Sequence, residues 1–90
     1  MNVQYFAQLR DVTHKDHETF SGTAATVGDV MRALSLRYGE KFSKFVMQDG
    51  QPHSLAIILV NGKDVRDGQH GSTPVHPEDD ITIIPPVAGG

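Results

Sequence analysis

The sequence predicts an α+β domain, a mixed sheet of four to five strands packed on one main helix. Three observations in its 90 residues predict it. An alternating apolar run opens the chain, a single long amphipathic stripe follows, and two apolar runs, the first ending in an Asn-Gly turn, close it.

Residues 3–9 alternate. Val3, Tyr5, Ala7 and Leu9 share one side of an extended strand, and Gln4, Phe6, Gln8 and Arg10 share the other. The first set is expected on the core, which leaves Phe6 as the odd member of a polar face. Residues 11–16 are polar and suit a hairpin turn. His17–Phe20 then forms a short strand antiparallel to the first, and residues 21–25 a loop.

Thr26 opens the helix. Thr26-x-x-Asp29 is a weakened capping box, in which the hydroxyl accepts a first-turn N–H and Asp29 complements the positive end of the dipole. Val27, Val30, Met31, Leu34 and Tyr38 make one stripe, and Gly39 is expected to end the helix as a left-handed cap. Phe42, Phe45 and Val46 suit a short helical turn in an insertion over 40–54, which Asp49-Gly50-Gln51-Pro52 breaks.

Leu55–Val60 is apolar throughout and rich in branched residues, as expected of a strand central in its sheet. Asn61-Gly62 is a strong hairpin signal, with Lys63–Arg66 as the short return strand. A Gly-rich loop spans 67–74, and an acidic turn leads into the last strand, 81–84.

Composition removes whole classes of function. There is no cysteine, so disulfides, thiolate metal sites and a cysteine nucleophile are excluded. Net charge is −3 with both signs dispersed, which gives no basic face for nucleic acid. No apolar run reaches the ~20 residues of a membrane span, and Met1-Asn2-Val3-Gln4 carries no signal-like segment. A cytoplasmic protein is the expectation.

The remaining signal is the end of the chain, Ile81-Thr82-Ile83-Ile84-Pro85-Pro86-Val87-Ala88-Gly89-Gly90. Pro85 and Pro86 lack ladder donors and have fixed φ, so they stop a strand and start a stiff extended segment. Gly89 and Gly90 have no Cβ and fit a narrow channel. The expected division is a domain over 1–84 and an extended flexible tail over 85–90.

The chain resembles the ubiquitin-like sulfur carriers of the MoaD/ThiS family, and most closely the small subunit of molybdopterin synthase. The resemblance rests on Val3-Gln4-Tyr5-Phe6-Ala7-Gln8-Leu9-Arg10, Thr26-Val27-Gly28-Asp29, Val60-Asn61-Gly62, Thr73-Pro74-Val75 and the hexapeptide Pro85–Gly90. It implies a ubiquitin-like β-grasp fold. It also implies that Gly90 is adenylated and becomes a thiocarboxylate, with Pro85, Pro86, Val87, Ala88 and Gly89 threading the tail into a partner. The chain itself would be no enzyme and would bind no cofactor; ATP and Mg²⁺ would belong to an activating partner. The implied partners are an adenylating enzyme of the MoeB/ThiF type, a sulfur donor, and an acceptor such as the molybdopterin synthase large subunit (MoaE type). A nucleic acid or a membrane is not expected. A ubiquitin-like modifier conjugated through Gly90, a carrier for thiamine-thiazole or amino-acid synthesis, and a β-grasp module with an inert tail are the alternatives.

Strand parity adds a docking surface. With Val3 and Tyr5 on the helix side, Phe6 faces outward; with Thr82 on the wet side, Ile84 does too. If the first and last strands adjoin, Phe6 and Ile84 form an apolar patch at the root of the tail. Other constellations read as structural. His14-x-x-His17, and His70 with His76, lack a third ligand. Asp79-Asp80 suits a solvated turn, and Asp67–Gly71 lacks the lysine of a phosphate loop.

Overall fold

The computed structural model describes residues 1–86. Its elements are β1 (Asn2–Tyr5), α1 (Gln8–Thr13), β2 (His17–Thr19), α2 (Val27–Tyr38), α3 (Glu40–Val46), β3 (Met47–Gln48), β4 (Gln51–Pro52), β5 (Ile57–Val60), β6 (Lys63–Asp64) and β7 (Asp80–Ile84). Five strands form one mixed sheet in the order β2-β1-β7-β5-β6, and β3-β4 is a separate ribbon. β1 and β7 are parallel, with Tyr5 opposite Ile83. β5 runs antiparallel to β7, with Ile58 opposite Ile83. The α+β layout and the adjacency of the first and last strands stand as expected.

Alternation along the sheet decides what is buried. Val3, Tyr5, Ile58, Ile81 and Ile83 point to one face and are fully buried. Val27, Val30, Met31 and Leu34 of α2 cover that face, and Phe42 and Val46 of α3 are buried in the same cluster. Burying each such side chain contributes about 1.5–3 kcal/mol before the cost of ordering the chain.

Helix α2 starts and stops where its sequence signals place it, though its C-terminal cap differs in kind. The Asp29 N–H donates to Thr26 Oγ1 at 3.2 Å, and Asp29 Oδ2 accepts the Thr26 N–H at 3.1 Å, so the capping box is complete. Arg32 holds the other carboxylate oxygen at 2.8 Å. That pair and the backbone N–H groups of Ala25 and Thr26 bring the Asp29 carboxyl down to about 2. Gly39 ends the helix at φ +80°, but with ψ −163° it turns the chain into α3 without a left-handed cap.

Several expectations for the first half of the chain are corrected. The opening strand stops at Tyr5, where Phe6-Ala7-Gln8-Leu9 makes a turn closed by the Leu9 N–H on Phe6 O at 3.1 Å. Ala7 is therefore exposed, and Leu9 is buried from helix α1. α1 also replaces the polar hairpin turn expected at 11–16; it ends at His14, which takes a left-handed φ of 60°. Asp49-Gly50 does not simply break the chain. With φ 54° and 77° it is a two-residue hairpin joining β3 to β4.

The remaining differences concern the second half of the sheet. β5 begins at Ile57, leaving Leu55 exposed, and the middle position belongs to β7. The return strand β6 ends at Asp64, whose carboxylate caps a 3₁₀ turn over Val65–Asp67. The Gly-rich loop carries a second 3₁₀ turn over His70–Ser72 and packs tightly. A Cβ on Gly71 would lie 2.9 Å from Pro52 Cδ, and one on Gly28 3.1 Å from Gly71 O. Those two glycines let α2, the loop and β4 approach closely.

Candidate functional site: the root of the tail

The site is built on the last strand. β7 is paired on both sides along its length, so its direction is fixed by two ladders. Pro85 follows Ile84 and is itself buried; Pro86 is half-buried. Val87, Ala88, Gly89 and Gly90 lie outside the described residues.

The structure brings Phe6 and Ile84 to one side of the sheet. Their neighbours Tyr5 and Ile83 are paired and point inward, so Phe6 and Ile84 point outward together. The Phe6 N–H donates to Ile83 O at 3.2 Å, extending the β1–β7 ladder by one residue. Phe6 is 36% exposed and Ile84 half-buried.

Sequence reasoning missed half of this face. Ile57 is opposite Ile84 and Leu59 opposite Thr82, so both are also outward and half-buried. Phe6, Ile84, Ile57 and Leu59 make one apolar surface across three strands. The signal was the alternation within Leu55–Val60, but its phase is set by a register that only the fold supplies. Arg10 was missed as well. Its guanidinium lies 5.1 Å from the centre of the Phe6 ring, and its Nε–H donates to Tyr5 O at 3.0 Å. A cation fixed over an aromatic ring thus borders the apolar face.

The turn that carries Phe6 is held in an uncommon conformation. Ala7 has φ 52° and ψ −130°, a region glycine favours. The turn sends the chain away from the sheet directly after Phe6, and from α1 the Arg10 side chain reaches back over the Phe6 ring.

The set-aside constellations do not gather into a site. Among the described residues no three histidine, aspartate or glutamate side chains are placed to hold a metal. Asp79 corrects the expected solvated turn. It is buried and accepts from Asn61 Nδ2 at 3.0 Å and from the His76 N–H at 2.8 Å. The Asn61 and His76 bonds hold its carboxyl below the usual aspartate range. A hollow of about 490 Å³ lies beside it, lined in part by Lys63, Asp64, Asp67 and Thr73. That hollow sits where β7 starts, at the opposite end of the strand from the tail.

A mixed sheet wrapping one main helix, with its central strand leading into the chain's last residues, defines a ubiquitin-like β-grasp protein. The profile of the ThiS family matches residues 3–90, and the chain belongs to that family. It is 31% identical over 91 residues to small archaeal modifier protein 3 of Haloferax volcanii, covering 100% of this chain and 98% of that protein. It is 35% identical over 65 residues to a candidate sulfur carrier protein of Archaeoglobus fulgidus, covering 72% of this chain and 74% of the other. Among solved structures it resembles a chain of the Amycolatopsis orientalis BexX/CysO complex, at 26% identity and a TM-score of 0.79, over 99% of this chain and 98% of that one. Family membership places it among small sulfur-carrier and ubiquitin-like modifier proteins. No helix among the described residues is long and apolar enough to cross a membrane.

Proposed function

We propose that this chain is a sulfur carrier whose Gly90 carboxylate is converted to a thiocarboxylate, with molybdopterin synthesis as the receiving pathway. The observation that carries the reading is the position of β7: a strand clamped on both sides runs directly into Pro85-Pro86 and the terminal Gly-Gly, beside an outward apolar face.

The chemistry divides between this chain and its partners. A carboxylate resists nucleophiles at neutral pH. An ATP-dependent adenylating enzyme, using Mg²⁺, joins the Gly90 carboxylate to AMP and releases pyrophosphate. Hydrosulfide, or a donor delivering its equivalent, attacks the acyl carbon; a C–S bond forms, the bond to AMP breaks, and AMP leaves. The thiocarboxylate sulfur is then the nucleophile handed to the acceptor, here the large subunit of a molybdopterin synthase. This chain supplies no acid, base or metal to these steps. Pro85 and Pro86 direct the segment, Val87, Ala88 and Gly89 pass into the partner, and Phe6 and Ile84 with Ile57 and Leu59 give the partner a surface to grip. The likeness to a chain found in a complex with another protein supports that division of labour.

The likeness to an archaeal modifier supports a second reading, in which the same activated Gly90 forms an amide with lysines of target proteins. Intact mass separates the two. The full chain is incubated with a cognate adenylating enzyme, ATP, Mg²⁺ and a sulfur source. The mass is expected to rise by one oxygen-for-sulfur exchange; a ladder of heavier conjugates would favour the modifier instead, and an unchanged mass with every adenylating enzyme tried would overturn both. One residue added after Gly90 is expected to abolish the exchange.

A further inference from the structure

The surface opposite the tail-root patch also carries an apolar feature. A groove of about 430 Å³ runs between α2 and α3, lined by Arg32, Leu36, Gly39, Glu40, Ser43 and Met47 among others. Leu36 is 88% exposed, far more than Phe6 or Leu55. It sits on the solvent side of α2, away from the stripe that covers the sheet, so it contributes nothing to this domain's core. The groove floor is open at Gly39, where a Cβ would meet nothing within 4 Å.

The charges bordering this groove are complementary to themselves. Arg32 and Leu36 are one turn apart on the same side of α2. Glu40, on the far side of Leu36 in sequence, lines the same groove and makes no ion pair among the described residues. Arg32 uses Nη2 for Asp29 at 2.8 Å and has further donors free to bond another carboxylate. A cation, a leucine and an anion in this order match a copy of themselves turned by a two-fold rotation.

We infer that the α2–α3 groove seats a second copy of this chain, with Leu36 of each copy in the groove of the other and Arg32 of each against Glu40 of its mate. The pairing leaves Phe6 and Ile84 of each copy on the outer faces, so the dimer presents two independent tail roots. A standard interface takes roughly 800 Å² from each partner. The whole chain exposes 5200 Å², and one groove with its rim is a small part of it. The association is therefore weak and appears at high concentration.

Sedimentation equilibrium of the full chain, from micromolar to millimolar concentration, tests the inference. The apparent mass is expected to climb from monomer towards dimer. Leu36→Glu is expected to hold it at monomer with an unchanged circular dichroism spectrum, since that side chain is exposed. Leu36→Ser provides the same test without a new charge. Glu40→Arg is expected to weaken the association tenfold or more by setting like charges together. A wild-type chain that stays monomeric, or a dimer that Leu36→Glu and Leu36→Ser leave intact, overturns the inference. So does a dimer abolished by Phe6→Asp, which would place the contact on the sheet face. Conversion of Gly90 by the adenylating enzyme is independent of all these variants except Phe6→Asp, so failure here and failure of the sulfur-carrier reading are distinguishable.

Discussion

Tyr38 donates its hydroxyl to Glu18 Oε1 at 2.6 Å, fastening the last residue of α2 to the edge strand β2. Tyr5 donates to the same oxygen from inside the sheet, and Lys15 and Arg37 reach Oε2 at 2.7 and 3.3 Å. The Glu18 side chain is only 8% exposed. The rings of Tyr5 and Tyr38 pack against each other and against Phe42, with Tyr38 and Phe42 centroids 5.5 Å apart. Glu18→Ala strips the tyrosine hydroxyls of their acceptor and is expected to cost about 2–4 kcal/mol; Glu18→Gln keeps the shape and should cost about 1–2 kcal/mol. Urea denaturation checks both, and a midpoint unmoved by Glu18→Ala would show that the cluster is dispensable.

Acid should unfold this protein through the same group. Burial by itself raises the Glu18 carboxyl, but hydrogen bonds from Lys15, Tyr38 and Tyr5 outweigh it and hold the group below its ordinary 4.5. Asp29 is held at about 2 against an ordinary 3.8. Each depressed carboxyl adds stability above its unfolded pKa, and that stability is lost as pH falls through the folded value. The free energy of unfolding is expected to be level near neutrality and to fall from about pH 4.5 towards pH 2. Glu18→Gln should flatten that slope; an identical slope in the variant would assign the acid sensitivity elsewhere.

Ala7 occupies a glycine conformation at the turn beside Phe6. Ala7→Gly removes the Cβ strain and loosens the unfolded chain, two opposed effects. Strain is expected to win, raising stability by about 0.5–1 kcal/mol. Thermal and urea unfolding report the sign, and a destabilised variant would mean that the alanine fits its turn without strain.

Gly71→Ala is expected to destabilise by about 1–3 kcal/mol, because its Cβ has nowhere to go except into the ring of Pro52. Gly68 tests the contrast, since a Cβ there meets nothing closer than 4.0 Å. Gly68→Ala should move the unfolding midpoint far less. Equal effects at both positions would locate the cause in backbone freedom and not in packing.

Phe6→Ser and Ile57→Ser probe the outer sheet face. Both are expected to raise the KM of the adenylating enzyme for this carrier by about tenfold or more while kcat stays near wild type, the signature of lost docking. A fall in kcat at constant KM would move these residues from grip to tail positioning.

What could be read from the sequence followed the reach of each interaction. Helix α2 was legible to the residue, because Thr26, Asp29 and Gly39 act within one turn of the ends they fix. Asn61-Gly62 was legible for the same reason. The equivalent Asp49-Gly50 turn was not: its strands are two residues each, and Pro52 argued against pairing. At the start of the chain, Leu9 sits two residues from Ala7 and four from Thr13, so it satisfies a strand and a helix equally; contacts made after folding choose the helix. Phe6 and Ile84 could be placed by parity alone. Ile57 and Leu59 needed the β5–β7 register, and the cluster around Glu18 joins residues 5, 15, 18, 37 and 38 that no local pattern connects.

The middle place of β7 bears on how the protein is born. A nascent chain that has left the ribosome as far as residue 79 contains β1 with β2 and β5 with β6, two antiparallel strand pairs with no strand between them to join. Neither can shelter the apolar side of α2 alone, so the domain closes only after translation has delivered residues 80–84. Biogenesis thus ties completion of the globule to emergence of the very strand that leads into the tail.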